Sequence, residues 1–457
     1  MSIYIVQPGD TVYTIADQNG ITVDQLIQDN GLMYPYNLVI GQALVIAIPE
    51  QIYTVQQGDT LQSIAEAHQV SVMQLLRNNP FLSEREYIYP GETLIISYNT
   101  KGSLTINGFA YPYIMKDILI KILPNLTYIS VLNYTATAEG NVVVFQDDTD
   151  IIAKAKEYSV IPLMVLTTLS LQGEPKYEAA LSILQNEEYQ EVFFDNAIRL
   201  MKDKGYYGIN IIYNFLSEEN QSLYLSFTNK LSNRLQQEGL LLFVTINYKI
   251  SQNNNELVFE KVNYTELSNY AVNLIFLDFV WGTNYDPPEP VCNMLYIEAL
   301  TDYLITSRVP PEKIVMGKPV IGYDWALPYI PGKSKANSLT LYSAYNLAYE
   351  HGADIEFDAV SQTPYFYYDE ILASGYSEHL VWFIDARSIN SLDTLIVNSG
   401  LNGGAIWNIM IYYPQLWIII YSQYDIVKFD VKIDMKIDVK TDVKIEEPPE
   451  ETESNRE

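Results

Sequence analysis

Two carboxylates stand at the ends of apolar, strand-like runs: Asp278 in "LDFVW" (277–281) and Asp324 in "GYDWALPYIPG" (322–332). Two carboxylates in one cleft can do the acid–base work that opens a sugar–sugar bond. The simpler alternative makes Asp324 structural and Asp278 solvent-facing, and the spacing alone leaves both open. Aromatic residues gather near similar ends: Trp281, Tyr323, Trp325, and Trp407 in "GGAIWNIM" (403–410). Their faces suit the C–H surfaces of a sugar, although a single tryptophan serves equally well in a core. The run "GYYGINIIYNF" (205–215) is the contrast, a buried-strand pattern with no carboxylate before Leu216. Ile212 can neither accept a hydrogen bond nor carry charge. Asn214 can hydrogen-bond a sugar, but its amide is no proton donor at neutral pH.

The chain of 457 residues has 48% hydrophobic and 18% charged residues, enough for one large domain and one or two small ones. Against 27 Lys and Arg stand 56 Asp and Glu, a net charge of −29. That balance repels phosphate backbones, arguing against nucleic-acid partners, and keeps the chain from bare anionic membranes. Cys292 is the only cysteine, and His68, His351 and His379 are too scattered for a zinc cluster, so neither a metal nor a cofactor is implied. No run of 18 apolar residues suggests a membrane span. The start "MSIYIVQPGD" has neither a basic end nor an apolar core, so synthesis in the cytosol without a signal peptide is expected.

Between 100 and 424, eight apolar runs alternate with helical stretches: 104–111, 126–134, 160–167, 206–215, 240–248, 271–279, 313–321 and 402–410. Parallel strands buried on both faces look continuously apolar, so the pattern predicts a (β/α)8 barrel. Strand-rich residues from about 355 to 384 predict a small α+β insertion before the eighth strand. In such barrels chemistry sits at the C-terminal ends of the strands.

Ahead of the barrel lies an internal repeat. "YIVQPGDTVYTIADQNGITVDQLIQDN" (4–30) and "YTVQQGDTLQSIAEAHQVSVMQLLRNN" (53–79) each read as a strand, a Gly-Asp-Thr turn and two helices, with closing strands "ALVIAI" (43–48) and "TLIISY" (93–98). The units, 1–49 and 50–99, resemble the LysM module, a βααβ fold that binds N-acetylglucosamine-containing glycans such as peptidoglycan and chitin. The resemblance implies glycan contacts at Gly9, Asp10 and Thr11 with Gly31 and Leu32, and at Gly58, Asp59 and Thr60 with Pro80 and Phe81. The first unit departs from the second, with "YPYNLVIGQAL" where the second has "YIYPGETL".

The stretches at 281–291, 317–332, 362–370 and 379–388 look like the barrel of glycoside hydrolase family 18. More narrowly they resemble bacterial spore cortex-fragment-lysing N-acetylglucosaminidases, which carry two LysM modules ahead of that barrel. In that family the substrate's acetamido oxygen attacks the anomeric carbon, a glutamate protonates the leaving oxygen, and an aspartate two residues earlier orients the acetamide. The motif D-x-x-D-x-D-x-E maps onto Tyr207, Asn210, Ile212 and Asn214. On the sixth strand, Phe279 takes the place of the tyrosine that holds the acetamido group, and Val280 that of a glutamate in close relatives. Trp407 matches the tryptophan forming the floor of the sugar subsite. The resemblance therefore implies a spore-associated peptidoglycan binder whose barrel no longer cuts efficiently. The alternatives are an N-acetylglucosaminidase working through other acids, and a structural spore-coat protein.

From Asp430 to Lys444 every even position is charged, alternating Asp and Lys, before the acidic "EEPPEETESNRE". This tail (425–457) reads as disordered or as a strand pairing with another sheet edge or with copies of itself, and the spore resemblance adds coat proteins as partners.

Overall fold

Gly9 and Gly58 take positive φ values of 89° and 95°, turning each chain out of its first strand. Thr11 and Thr60 then cap helices Val12–Asn19 and Leu61–His68, exchanging bonds reciprocally with Thr14 and Ser63. Such caps satisfy amides that the first helical turn leaves free, each worth about 1 kcal/mol. Second helices Val23–Asn30 and Val72–Asn78 follow, and antiparallel pairs Ser2–Ile5 with Ala43–Ile46 and Gln51–Thr54 with Thr93–Ser97 close the modules. The computed structural model describes residues 1–429 apart from 86, 169–175, 249, 254–255, 278–284 and 373–374.

Eight parallel strands form the barrel: β1 Ser103–Ala110, β2 Tyr128–Ala136, β3 Ile161–Thr167, β4 Gly208–Tyr213, β5 Leu241–Ile246, β6 Asn273–Phe276, β7 Ile314–Pro319 and β8 Gly403–Trp407. Each pairs with its neighbours, and β8 pairs with β1, so the sheet closes. Alternate side chains of β4 explain its unbroken apolar look. Ile209 and Ile211 pack outward against the helices, whereas Ile212 joins Phe109, Phe243, Val315 and Trp407 inside. A polar layer crosses the same interior. Thr245 donates to Asn210 Oδ1 (2.7 Å), Asn210 Nδ2 to Ser130 (3.0 Å), and Ser130 to Asn107 (2.9 Å). All four are essentially without solvent contact, and their mutual bonding offsets most of the cost of burying them, leaving the Asn107 Nδ2 without a partner.

A five-stranded antiparallel sheet with helix Leu341–His351 is inserted between β7 and β8. It begins at Gly322 and runs to Phe383, so it extends well upstream of the expected 355–384. After helix Pro414–Tyr421 the chain adds a short strand, Asp425–Ile426, to the N-terminal end of β1. Lys428 Nζ then covers the carbonyls of Leu123, Leu126 and Tyr158 (3.0, 2.5 and 3.2 Å). The barrel therefore continues to Phe429, past the expected boundary at 424. The alternating segment from Asp430 lies outside the described residues.

The modules are not strung loosely ahead of the barrel. Along "ALVIAI", Leu44 and Ile46 fill the first module's own core, while Ala43, Val45 and Ala47 belong to the barrel's core. From Ala43 to Ala47 the run is apolar at every position because both of its faces are buried. Tyr98 of the second module packs against Tyr421, ring centres 5.8 Å apart. Among the described residues no helix is long and apolar enough to cross a membrane.

Candidate functional site

The C-terminal mouth of the barrel is an apolar cup with Trp407 in it. Its indole packs on Phe109, centroids 5.3 Å apart, and is 6% exposed. Ile212 lies in the same interior cluster. Two residues on, Asn214 is buried, its Nδ2 3.5 Å from Thr167 Oγ1. Asn214 Oδ1 has no partner, an acceptor left free at the end of β4. Asn210 is committed to the polar layer below. Tyr207, near the start of β4, packs on the interior cluster with Lys156 Nζ 5.6 Å from its ring centre. The inner face of β4 thus offers an amide, an isoleucine and a second amide in ascending order, with no proton donor of carboxyl type.

Asp324 is placed away from free solvent. Its Oδ2 accepts from Tyr368 (3.0 Å) and its Oδ1 lies 2.8 Å from His379 Nδ1. His379 Nε2 in turn lies 3.4 Å from Glu370. Burial, then the Asp324 charge, raises the Tyr368 hydroxyl far above the usual tyrosine range. Tyr323 and Trp325 point to the opposite face of the inserted sheet, 5.5 Å apart, and the Trp325 indole donates to the Asp286 carbonyl at 3.1 Å. Asp278, Phe279, Val280 and Trp281 lie outside the described residues. Among those described, no cluster of three or more His, Cys, Asp or Glu side chains could hold a metal ion.

In the modules, Asp10 and Asp59 hold the turns. Each accepts from a backbone amide, Gln7 or Gln56, at 2.7 Å and from a tyrosine hydroxyl, Tyr4 or Tyr53, at 2.8 Å. Gly31 ends its helix with φ 60° and abuts Pro414 of the barrel, so that an added Cβ would lie 2.9 Å from the Pro414 Cγ. Leu32 and Phe81 rest partly buried on their module cores, and Pro80 opens a short helical turn, Pro80–Glu84.

Two mouth residues escaped the sequence reading. Tyr111 and Tyr113 stack at 5.3 Å and 16° beyond the end of β1, beside Met410. "FAYPY" was their visible signal.

Residues 119–410 match the model of glycosyl hydrolases family 18, and 4–47 and 53–97 match the LysM domain. The chain belongs to glycosyl hydrolases family 18. It is 31% identical to a cortical fragment-lytic enzyme of Bacillus anthracis, over 94% of this chain and 99% of that one. A sporulation-specific glycosylase of Bacillus subtilis, YdhD, described as putative in its own name, is 29% identical over 92% and 98%. The crystal structure of the Bacillus cereus spore cortex-lytic enzyme SleL superposes with a TM-score of 0.74, at 29% identity, covering 93% of this chain and 99% of the other. Both domain types, LysM and family 18, bind N-acetylglucosamine-containing glycans. Ile212 and Asn214, the positions where the resemblance led us to expect an orienting aspartate and a proton-donating glutamate, lie on β4 and just beyond its end.

Proposed function

We propose that the protein is a spore-associated binder of peptidoglycan glycan strands whose family 18 barrel holds the glycan without cutting it efficiently. The observation that carries this reading is the inner face of β4. Ile212 sits in an apolar cluster where an orienting carboxylate belongs, and Asn214 presents an amide where the acid belongs. Loss of a general acid alone removes about 10²–10⁴-fold in rate, and groups acting as a unit lose more together. Binding remains well supplied, through the LysM loops, the Trp407 floor and the unpartnered Asn214 Oδ1. Location in the spore, among coat or cortex components, rests on the names of the relatives.

One observation favours a second reading, that of an N-acetylglucosaminidase with a displaced acid. Relatives that match this chain along almost their whole length are named cortical fragment-lytic enzymes, and Asp278 and Asp324 are the carboxylates a displaced mechanism would draw on. The readings separate when purified protein is incubated with cortex-type peptidoglycan, with both the pellet and the soluble fragments analysed. Co-pelleting without released muropeptides supports the binder. Release that disappears in Asp278→Ala or Asp324→Ala supports the hydrolase.

A further inference from the structure

The first module differs from the second in the loop leading to its closing strand. No residue from Asn30 to Ile48 is charged, whereas the second module carries an Arg85–Glu92 ion pair in its equivalent loop. Docking on the barrel accounts for the buried side of the first loop. It does not account for Met33 and Tyr34, which are 59% and 84% exposed. These two form one wall of a cavity of about 650 Å3. Tyr342 and Tyr349 of helix Leu341–His351 line it from the inserted domain, and Asn408 and Ile411, just beyond Trp407, line it from the barrel.

The size lies within the roughly 300–1,000 Å3 of cavities that enclose small organic ligands. Its chemistry is unusual for this chain. None of the described lining residues is charged, although 18% of the sequence is charged and the net charge is −29. Tyrosines, asparagines, serine, threonine and aliphatic side chains make up the surface. A nucleotide or acidic peptide meets no cation there, and a basic peptide meets no carboxylate. The lining matches an uncharged ligand with apolar ring faces and a rim of hydroxyl and amide groups.

We infer that the first LysM module and the barrel form one extended groove, which takes a continuous uncharged N-acetylhexosamine oligomer running from Tyr34 towards Trp407. This rests on the glycan-binding function proposed above and names where the two domains share a single ligand. The walls keep their spacing because the module is fixed at several points. Ile355 donates its amide to the Ile40 carbonyl (2.9 Å), Arg387 donates to the Gly41 carbonyl (3.2 Å), and Gln415 donates to Asn30 (2.9 Å). A preformed groove loses little to ordering when its ligand arrives. Side chains from both domains then contribute to one affinity, which rises with oligomer length.

The test is calorimetric titration of the full chain with N-acetylglucosamine dimer and hexamer, using the wild type, Tyr34→Ala, Tyr349→Ala and the double variant. Both tyrosines are substantially exposed, so circular dichroism and melting should match the wild type. The groove predicts that each single change weakens hexamer binding roughly two- to tenfold, the worth of one aromatic contact, and leaves the dimer less affected. Hexamer affinity unchanged in all three variants overturns the shared groove while leaving glycan binding in place. No binding of either oligomer by the wild type overturns the groove and the proposed function together.

Discussion

The Gln415 side-chain amide donates to Asn30 Oδ1 at 2.9 Å and to the Ala43 carbonyl at 2.7 Å, joining the last barrel helix to the first module. Asn30 also donates to the Leu26 and Val45 carbonyls, both at 2.9 Å, and accepts from the Val45 amide. Asn79 makes the equivalent internal bonds in the second module, to Leu75 and Ile95. Gln415 thus attaches the barrel to a bond set that each module already uses to hold its helix on its strand. Replacing Gln415 with Ala strips buried groups of a partner and should lower stability by about 1–3 kcal/mol in urea denaturation. A variant as stable as the wild type would show that the module docks by apolar contact alone.

Asp29, one residue earlier, supplies a pH dependence. Burial raises its carboxyl to about 7, against a hydrogen bond from Gln25 that lowers it, and its Oδ2 is buried without a partner. An unfolded aspartate titrates near 3.9, roughly three units lower. The folded state therefore holds a proton that the unfolded chain has lost. Its stabilising contribution is fully present below about pH 4 and disappears as the pH rises to about 7, a change of up to about 4 kcal/mol. Asp29→Asn should flatten this dependence and melt above the wild type at pH 8. Parallel stability curves for the two proteins would contradict it.

Lys318 of β7 and Asp393 of helix Ala386–Asn398 form an ion pair with side chains 1% and 0% exposed. Burial raises the Asp393 carboxyl, and the Lys318 charge acts against that. Asp393→Ala leaves an uncompensated ammonium and should cost about 3–5 kcal/mol. The double change Lys318→Met with Asp393→Leu should recover most of the loss, as read by thermal melting.

Restoring single family carboxylates should not restore cleavage. Ile212→Asp places a carboxyl against Phe109, Phe243 and Trp407, costing at least about 2 kcal/mol in stability. Asn214→Glu supplies an acid without its orienting partner. Reducing-end release by each single variant is expected to stay at the wild-type level, because these groups act as a unit.

The barrel was legible because β4 and its seven counterparts are buried on both faces and so are apolar throughout. The modules were legible because Gly9 and Gly58 and the capping threonines recur with a period of 49. The docked faces were not. Ala43, Val45 and Ala47 read as strand residues, but nothing local says that they meet a helix more than 370 positions away. The start of the insertion was hidden for a similar reason, since "GYDWAL" continues the apolar texture of β7 before turning antiparallel. The network of Asp324, Tyr368 and His379 joins three inserted strands that sequence spacing cannot bring into register. At the site, Ile212 and Asn214 were found by position in a motif.

The most direct measurement is the appearance of new reducing ends when the full chain, at high concentration, is incubated with a long N-acetylglucosamine oligomer that it demonstrably binds. The account expects none above the level of the oligomer alone across pH 4–8. Sustained turnover, abolished by Asp278→Asn or Asp324→Asn, would contradict it and identify a working hydrolase with a relocated acid.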